Sequence, residues 1–362
     1  MEKVLVGMSG GVDSSVAAKI LIDRGYNVAG VTLKLFSNED ILCAEKEGKT
    51  CCALSDVQDA RSVAFRLGID HFVYNFREYF TEKVINHFVQ SYLAGNTPNP
   101  CIECNRWIKF DKMLERARLL GYEYIATGHY ARSEYDPASM RWLLKKGIDP
   151  AKDQSYVLYT LTQDQLAHTL FPLGGMDKRQ VRSIAEAAGL VNAKKADSQD
   201  ICFVPGGDYG AFIEKAAPGK VEPGPYVNAE GTVVGTHKGV AHYTIGQRRG
   251  IGIALGQAAY VTAKDAKTNT VSLGPNEALM SRSLVAQDVN LIAVDLAEFE
   301  RLAKPMRVTA KIRYNQKEQD AWISPEGIGR IRVDFDADQR AVTPGQAVVF
   351  YSGDIVVGGG TI

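Results

Sequence analysis

Residues 4–15 constrain the fold most, because they predict a strand, a glycine-rich turn and a helix in direct succession. The segment reads VLVGMSGGVDSS, and helical spacing of apolar residues continues through Val16 and Leu21. Such a turn leaves backbone N–H groups at the start of the helix, beside the hydroxyls of Ser9 and Ser14. The sequence therefore predicts an anion site suited to phosphate or pyrophosphate.

The turn differs from two common nucleotide-binding motifs. It has no lysine for the Walker pattern G-x-x-x-x-G-K-[ST], and its glycines do not fit G-x-G-x-x-G. It resembles S-G-G-x-D-S instead, the PP-loop of the ATP pyrophosphatases, which adenylate a substrate and release pyrophosphate. This resemblance implies binding of ATP and Mg²⁺, with Asp13 helping to hold Mg²⁺ on the pyrophosphate. A turn without a ligand is the alternative, but the serines and Asp13 would then have no packing purpose. The candidate nucleotide-binding residues of the loop are Gly7, Met8, Ser9, Gly10, Gly11, Val12, Asp13 and Ser14.

Length and composition narrow the class of protein. The chain has 362 residues, enough for two or three domains, with the hydrophobic and charged content of an ordinary globular protein. It has no run of about 18 apolar residues, and its N-terminus leads directly into a predicted strand, so we expect neither a membrane span nor a signal peptide. We expect a cytoplasmic monomer. Formal net charge is zero, so binding of nucleic acid would have to rest on local basic patches.

The first part of the chain, residues 1–204, alternates predicted strands and helices. After the opening unit, the predicted elements are strands at 28–36, 71–76 and 122–127 and helices at 55–67, 162–170 and 178–188. Repeated β-α units predict an α/β fold, a parallel sheet with helices on both faces. Ligands of such sheets bind beyond the carboxyl ends of the strands. Leu33 and Gly128 lie at such ends and are candidate walls for adenosine, although each could equally be a core or turn residue.

The composition changes near residue 205. Glycine and proline become frequent, and the pattern then alternates as in β-structure. We expect a central β-rich domain at 205–279 and a C-terminal domain at 280–362, a small antiparallel barrel or sandwich. The strands predicted for this last domain are 307–314, 320–323, 330–335, 347–351 and 355–357.

Six cysteines in a long chain of this type are more typical of reactive or metal-binding thiols than of a disulfide framework. Cys101 and Cys104 form a C-x-x-C after two prolines, which predict a rigid loop just before a helix that starts near Asn105. A thiol near a helix N-terminus has a lowered pKa and is more reactive. Cys202 stands alone before a phenylalanine, which by itself is more typical of a buried, inert thiol.

A family resemblance rests on several motifs in a fixed order. They are GMSGGVDSS at residue 7, TPNPxxxCN at residue 97, YIATGHY at residue 124, KDQSY at residue 152, ICF at residue 201, TPGQAVVFY at residue 343 and GGG at residue 358. In this combination the chain resembles the tRNA-specific 2-thiouridylases, the MnmA/TrmU family, over essentially its whole length. The resemblance implies a PP-loop domain of the adenine nucleotide α-hydrolase-like class, followed by a β-rich central domain and a tRNA-contacting barrel.

The resemblance also implies a reaction. ATP would adenylate the C2 carbonyl oxygen of the wobble uridine in tRNA, and sulfur from a persulfide would then displace AMP to give 2-thiouridine. Cys202 would carry the persulfide, and Cys104 would complete sulfur release, leaving a disulfide between Cys104 and Cys202 for reduction. This is chemically sound, because C2 of uracil is a poor electrophile until its oxygen is activated. A persulfide donor or sulfur-relay protein is therefore an expected partner.

The tRNA contacts implied by the resemblance concern the anticodon stem-loop, whose target base must leave its stack to react. Without the resemblance, several of these positions would be ordinary sheet residues. The candidate tRNA-contacting residues are Asn99, Pro100, Cys101, His129, Lys152, Asp153, Gln154, Arg313, Tyr314 and Gln346.

One position departs from the best-known bacterial members, which carry Asp where this chain has Cys101. Cys101, Cys104 and Cys202 could therefore act as three thiolates that hold a [4Fe-4S] cluster with one iron open to sulfide, or a zinc ion. A persulfide mechanism and a cluster mechanism both stay open. So do the roles of Cys43, Cys51 and Cys52.

Two functions of other classes compete with this reading. A PP-loop ligase that adenylates a small metabolite would not need the cysteine loop or a barrel. A non-catalytic RNA-binding protein with a metal-stabilised cysteine site would not need the intact SGGVDS sequence. Fold similarity alone does not separate these alternatives.

Overall fold

The computed structural model describes residues 1–36, 54–197, 201–204, 206–253 and 258–362. Their strands form three sheets of five, four and eight strands. The strands are β1 (Lys3–Gly7), β2 (Asn27–Lys34), β3 (His71–Asn75), β4 (Tyr124–Ala126), β5 (Ala131–Asp136), β6 (Arg141–Lys146), β7 (Thr169–Leu170), β8 (Gly224–Val227), β9 (Val233–His237), β10 (Tyr260–Asp265), β11 (Thr270–Gly274), β12 (Met280–Leu291), β13 (Met306–Lys311), β14 (Gln319–Pro325), β15 (Ile331–Arg340), β16 (Ala347–Ser352) and β17 (Ile355–Thr361).

The helices include two long composite ones in which a π-helical stretch joins α-helical turns. These stretches are Thr81–Ile85, between α3 and α4, and Cys104–Lys112, between α5 and α6. The α-helices are α1 (Val12–Asp23), α2 (Leu54–Leu67), α3 (Arg77–Phe80), α4 (Asn86–Leu93), α5 (Pro100–Glu103), α6 (Met113–Leu119), α7 (Gln163–Ala167), α8 (Lys178–Ala187), α9 (Tyr209–Ala216) and α10 (Leu296–Leu302). None of these described helices is long and apolar enough to span a bilayer.

The first sheet is parallel and has the order β3-β2-β1-β4-β7. Its central strand β1 is buried on both faces: Val4 and Val6 pack with α1 and α8, whereas Leu5 packs with α6. Alternation along a strand sends neighbouring side chains to opposite faces. The predicted α/β fold with helices on both faces is confirmed.

Residues 162–170 differ from the prediction of one helix. The helix α7 ends at Ala167, and Thr169 and Leu170 pair in parallel with Ile125 and Ala126 of β4. A capping box at Thr162 and Gln165 starts this short helix. The sheet edge then takes up the two residues that follow, which short-range helical periodicity does not reveal.

The C-terminal region is a closed barrel. Six antiparallel strands follow the order β12-β15-β14-β13-β16-β17, and β17 pairs back to β12. The predicted strands correspond to β13 through β17, but β12 was missed, since its exposed polar residues weaken the alternation. The central sheet has the order β10-β11-β8-β9, as expected for a β-rich middle region.

A hairpin from the N-terminal region joins the barrel. The strands β5 and β6 pair with each other, and β6 pairs with β17. One apolar cluster also contains Leu5 of the first sheet, Tyr156, and Val349 and Tyr351 of the barrel. The sheet that carries the glycine-rich turn and the barrel therefore share a core, which fixes their relative position.

Candidate active site

The glycine-rich turn is shaped by backbone contacts that exclude larger side chains. Gly10 has φ +72°, and a Cβ there would lie 2.4 Å from the carbonyl oxygen of Asp56. The N–H of Ser9 donates to Ser14 Oγ at 3.2 Å, and Ser15 Oγ donates to the Gly11 carbonyl at 2.9 Å. Gly11 is the N-cap of α1 and supplies no side-chain cap, so a bound anion has access to the first-turn N–H groups.

Gly128 brings the end of β4 against the start of α1. A Cβ at this position would lie 2.7 Å from the Ser14 nitrogen and 2.8 Å from the Asp13 carbonyl carbon. The strand end therefore approaches the turn closely enough to form one wall of the site. Leu33 lies near the end of β2, partly buried, opposite Tyr74 of β3. The structure thus places both candidate adenosine residues at the ends of sheet strands.

Two polar residues from the segment after α8 donate hydrogen bonds to the backbone of the glycine-rich turn. Asn192 Nδ2 donates to the Gly10 carbonyl at 3.0 Å and to Ser15 Oγ at 2.9 Å. Lys195 Nζ donates to the same carbonyl at 3.3 Å and to the carboxylates of Asp56 and Asp59 at 2.6 and 2.7 Å. Asn192 is 4% exposed, and within the described residues its Oδ1 has no hydrogen-bond partner. The turn is held in a preformed shape.

Asp13 belongs to a cluster of ionic groups. Tyr130 donates from its hydroxyl to Asp13 Oδ1 at 2.9 Å, and Lys178 Nζ donates to both carboxylate oxygens at 2.7 and 2.9 Å. The same ammonium group lies 2.7 Å from Asp197 Oδ1, and Lys152 Nζ lies 2.8 Å from Asp197 Oδ2. Burial raises the pKa of Asp197, but hydrogen bonds from Lys152 and Lys178 outweigh it and the pKa lies below its ordinary value.

Sequence reasoning missed Lys178 and Tyr130 in this cluster. Tyr130 closes the YIATGHY motif, so its sequence context pointed to the site. Lys178 follows the helix N-cap Asp177 and resembles any surface lysine at a helix start. Burial and the Asp13 carboxylate raise the pKa of Tyr130, so its hydroxyl stays protonated and can donate.

The cysteine-bearing segment corrects the sequence prediction. The helix begins at Pro100, not near Asn105, so Cys101 and Cys104 lie on the helix itself and not in a rigid loop before it. Pro100 fits the first helical position because its missing N–H is not needed there and its φ is already helical. Asn99 caps the helix, its Oδ1 accepting from the Cys101 N–H at 3.1 Å.

The π-helical stretch that starts at Cys104 is anchored on two sides. Asn105 is 1% exposed and donates from Nδ2 to the Val157 carbonyl at 2.9 Å. Arg106 makes a two-pronged contact with Asp288 in β12, with 3.0 Å between its second terminal nitrogen and Oδ1. π-helical turns recur at functional sites. Here the stretch ties the position of Cys104 to the barrel.

Cys104 and Cys202 belong to the same apolar cluster. Cys104 is 7% exposed, and Cys202 is partly buried against that cluster, next to Phe203. Cys101 is exposed. The fold therefore brings the two candidate catalytic thiols to one apolar cluster, although they are far apart in sequence. Cys43, Cys51 and Cys52 lie outside the described residues.

The described cysteines are not arranged as a metal centre. Among the described residues, which include Cys101, Cys104 and Cys202, no group of three histidine, cysteine or acidic side chains is arranged to hold a metal ion. The three cysteines as placed here therefore do not fit an iron–sulfur cluster or a zinc ion.

Two of the candidate tRNA residues, Tyr314 and Gln346, contact the N-terminal region. Tyr314 donates from its hydroxyl to the Asp153 carbonyl at 3.1 Å, and Gln346 Nε2 donates to the Thr97 carbonyl at 2.6 Å. Burial raises the pKa of Tyr314, as do the neighbouring Asp153 and Cys101. The C-terminal region therefore contacts the N-terminal region through the side chains of both Tyr314 and Gln346.

Several of these side chains have structural partners. Gln154 accepts from the Tyr130 N–H at 3.1 Å, and Asp153 Oδ1 accepts from Gly147 and Ser155 N–H groups at 3.1 Å. Arg313 donates to the Ala341 carbonyl at 3.0 Å and to Thr343 Oγ1 at 2.9 Å. These residues therefore stabilise the local structure where the barrel contacts the N-terminal region. Sequence patterns did not indicate this structural role.

His129 is buried just after β4. Its Nδ1 lies 2.8 Å from Thr127 Oγ1, and its ring centroid lies 5.7 Å from that of Phe110. Burial, and to a lesser extent Lys109, hold the pKa of His129 well below its usual range. The imidazole is therefore neutral at neutral pH.

Three family models match successive parts of the chain. Residues 2–206 match the model described as tRNA methyl transferase HUP domain, residues 210–275 match the tRNA methyl transferase PRC-barrel domain, and residues 281–362 match the aminomethyltransferase beta-barrel domain. The first model alone covers more than half of the chain.

Relatives match along the full length. The tRNA-specific 2-thiouridylase MnmA of Acetivibrio thermocellus is 54% identical over 361 residues, covering 100% of this chain and 99% of the relative. The proteins of the same name from Clostridioides difficile and Heliobacterium modesticaldum are 50% and 52% identical, over 98% and 92% of their own lengths. The chain belongs to the tRNA-specific 2-thiouridylase family.

Proposed function

We propose that this chain uses ATP to convert the wobble uridine of tRNA into 2-thiouridine, as a tRNA sulfurtransferase. The observation that carries the proposal is the full-length match, at 54% identity, to a relative named for that activity. The anion site at the start of α1 and the shared cluster of Cys104 and Cys202 support it.

In the first step, the C2 oxygen of the uridine attacks the α-phosphorus of ATP, and pyrophosphate leaves. The loop from Ser9 to Ser14 holds the phosphates through first-turn N–H groups and hydroxyls. The shape of the loop fits the phosphates of ATP, because the close backbone approaches at Gly10 and Gly128 leave no room for side chains there. Mg²⁺, held by Asp13, would neutralise charge on the pyrophosphate.

In the second step, the terminal sulfur of a Cys202 persulfide attacks C2, and AMP leaves with the C2 oxygen. The Cys104 thiolate then attacks the Cys202 sulfur and breaks the S–S bond, so that the transferred sulfur stays on C2. The product is a Cys104–Cys202 disulfide, which an external dithiol reduces with two electrons. Each turnover therefore needs a persulfide donor and a reductant.

The target base would lie between the barrel and the cysteine-bearing helix that begins at Pro100. Asn99, Pro100, Cys101 and His129 line it in this proposal, and neutral His129 contacts it without adding charge. Lys152, Asp153, Gln154, Arg313, Tyr314 and Gln346 contact or shape the path of the anticodon stem-loop. Tyr314 offers a ring for stacking, since 37% of its surface is exposed.

The proposal also covers the domains of the chain, its oligomeric state and its location in the cell. Residues 1–204 form the catalytic domain, 205–279 a central domain and 280–362 the tRNA-contacting barrel, in a cytoplasmic monomer. A [4Fe-4S] cluster on Cys101, Cys104 and Cys202, the other route for sulfur delivery, would require these thiols to move from their present positions.

The test is thiolation of an in-vitro tRNA transcript with ATP, Mg²⁺ and a persulfide source, on protein purified anaerobically and assayed for iron and acid-labile sulfide. We expect 2-thiouridine by nucleoside mass spectrometry without bound iron. About four irons per chain, with activity lost on their removal, would favour the cluster. Exchange of pyrophosphate into ATP that needs a small metabolite and no tRNA would overturn the tRNA proposal.

A further inference from the structure

A row of hydrogen-bonded groups crosses the parallel sheet toward the nucleotide loop. Thr32 in β2 donates from Oγ1 to the carbonyl oxygen of Met8 at 2.8 Å. The same Oγ1 lies 2.9 Å from Nε2 of His71 in β3, and Thr32 is only 2% exposed. The strands lie in the order β3-β2-β1, and Met8 directly follows β1. Two neighbouring strands therefore reach the residue at which the loop begins.

These contacts fix which ring nitrogen of His71 carries the proton. A threonine hydroxyl has one hydrogen, and Thr32 gives it to the Met8 carbonyl, which can only accept. The hydroxyl must then accept from His71, so Nε2 carries the hydrogen. His71 Nδ1 is buried and has no hydrogen-bond partner among the residues that the structure describes. Burial, and to a lesser extent Arg61, lower the pKa of His71, in agreement with a neutral ring.

Gly30 of β2 makes room for this arrangement. A Cβ at Gly30 would collide with Met8 Sδ and would lie 3.2 Å from His71 Cδ2. The Met8 side chain and the imidazole therefore both lie against the Gly30 backbone. The N–H of Met8 donates to the Val31 carbonyl at 2.8 Å. Met8 is thus attached to β2 through both its N–H and its carbonyl group.

The Met8 carbonyl belongs to the same peptide group as the Ser9 N–H. In a planar trans peptide the C=O and the N–H point in opposite directions. Because Thr32 holds the carbonyl on the side of the sheet, the Ser9 N–H points into the loop, where it donates to Ser14 Oγ at 3.2 Å. The hydroxyl of Thr32 therefore helps to decide what this peptide presents to a bound anion.

The hydrogen bonds from the segment after α8 act on a different peptide of the loop. Asn192 and Lys195 both donate to the carbonyl oxygen of Gly10, which lies two peptides further along. They do not determine which way the Ser9 N–H points. If the Met8–Ser9 peptide turned over, a carbonyl oxygen would replace an N–H at the anion site, and its partial negative charge would repel phosphate.

We propose that Thr32 and His71 are positioning residues that hold the Met8–Ser9 peptide with its N–H toward the phosphates of bound ATP. The inference rests on the proposed function for the presence of ATP at the loop. Both residues act through the Met8 carbonyl. His71 donates to the Thr32 hydroxyl and thereby directs the hydrogen of that hydroxyl to Met8.

The experiment compares the binding of ATP and of adenosine to full-length chains, by equilibrium dialysis with Mg²⁺ and without tRNA. Thr32→Val removes the hydroxyl and keeps the shape of the side chain. We expect its affinity for ATP to fall about fivefold, as loss of one ordinary hydrogen bond gives. Its affinity for adenosine should not change, because adenosine has no phosphate to contact the loop. Thr32→Ser keeps the hydroxyl and should recover the affinity for ATP.

Thr169→Val is the matched control. Thr169 lies in β7 of the same sheet, is 1% exposed, and donates from Oγ1 to the Gln165 carbonyl at 2.6 Å. Both valine variants lose a buried hydrogen bond and should have a lower Tm, but only Thr32→Val should bind ATP more weakly. An equal loss of ATP affinity in the two variants would show a general effect of destabilisation and would overturn the inference.

A double-mutant cycle tests the role of His71. His71→Phe keeps a ring and removes the donor, and it should weaken ATP binding in the wild-type background. In the Thr32→Val background it should have no further effect, because the hydroxyl through which His71 acts is gone. An equal effect of His71→Phe in both backgrounds would show that His71 acts by another route.

A Thr32→Val chain that binds ATP as tightly as the wild type would overturn the inference, and so would equal losses of affinity for ATP and adenosine. A wild-type chain that binds no ATP would overturn both the inference and the proposed first step. A chain that shows the expected binding pattern but makes no 2-thiouridine would contradict the proposed function and leave the positioning role standing.

Discussion

Gln346 donates a hydrogen bond from its side-chain amide to the carbonyl oxygen of Thr97 across 2.6 Å. The Thr97 N–H in turn donates to the Pro344 carbonyl at 2.8 Å. Gly345 lies between them with φ +88°, and a Cβ there would lie 2.9 Å from the Thr97 nitrogen. The barrel therefore sets the position of the loop that starts the cysteine-bearing helix.

The variant Gln346→Leu should lower both stability and activity. Loss of this hydrogen bond costs about 1–2 kcal/mol, and the start of the helix loses its attachment to the barrel. We expect a lower Tm and a larger loss in kcat/KM for tRNA than the stability change explains. The control is Gln319→Leu, whose amide donates to the carbonyl oxygen of the nearby Lys317 at 3.4 Å. Equal kinetics in both variants would argue against a coupling through Thr97.

Substitution at Gly10 tests the nucleotide loop. A Gly10→Ala side chain would collide with the Asp56 backbone at 2.4 Å and would also strain the left-handed φ of +72°. Gly25→Ala is the matched control, because its φ is +85° and no atom lies within 4 Å of the added Cβ. We expect Gly10→Ala to lose ATP binding, measured by equilibrium dialysis, while Gly25→Ala costs only about 1 kcal/mol of stability and binds ATP normally. Normal binding by Gly10→Ala would show that the loop does not hold the nucleotide.

The cap at Asn99 should contribute to folding of the cysteine-bearing helix. Asn99→Ala removes the acceptor for the Cys101 N–H and should cost about 1 kcal/mol in chemical denaturation. Asn99→Ser keeps an oxygen acceptor and should recover most of that loss. An unfolding free energy of Asn99→Ala equal to that of the wild type would mean that the cap adds nothing.

His129 should make stability depend on pH in a definite direction. Its pKa is lowered in the folded chain by burial, so the unfolded chain binds the proton first as pH falls below about 6.5. The contribution is present above that pH and is lost as pH decreases, with a slope up to about 1.4 kcal/mol per pH unit. Denaturation curves between pH 7 and 5 should be less pH-dependent for His129→Gln than for wild type. Equal slopes would show that His129 binds its proton equally well in the folded and the unfolded chain. His71 and His237, whose pKa values are also lowered, are common to both chains and cancel in the comparison.

The fold could be predicted from the sequence where local pattern and tertiary packing agree. The strand at Val4, the turn at Gly10 and the helix from Val12 follow from residues that are neighbours in the chain. Prediction failed where one local signal has two meanings. The two prolines before Cys101 predict a rigid loop, yet a proline at the first helical position, as at Pro100, starts a helix equally well.

In the candidate site, too, residues of local motifs could be predicted, whereas contacts made by tertiary packing could not. The loop and the C-x-x-C are local motifs, and their residues could be named in advance. Lys178 could not, because its ion pair with Asp13 spans 165 positions and exists only once α8 packs beside α1. The shared cluster of Cys104 and Cys202 is also a product of tertiary packing, and the family resemblance, not the spacing, indicated that pair.

The most direct test of the account is a trapping experiment with Cys104→Ser, using the full-length chain, a tRNA transcript, ATP, Mg²⁺ and a persulfide source. We expect sulfur to reach C2 but to stay bonded to Cys202, giving a covalent protein–tRNA adduct on a non-reducing gel. A dithiol should release tRNA that contains 2-thiouridine, and Cys202→Ser should give neither adduct nor product. Free 2-thiouridine formed by Cys202→Ser at the wild-type rate would contradict the account.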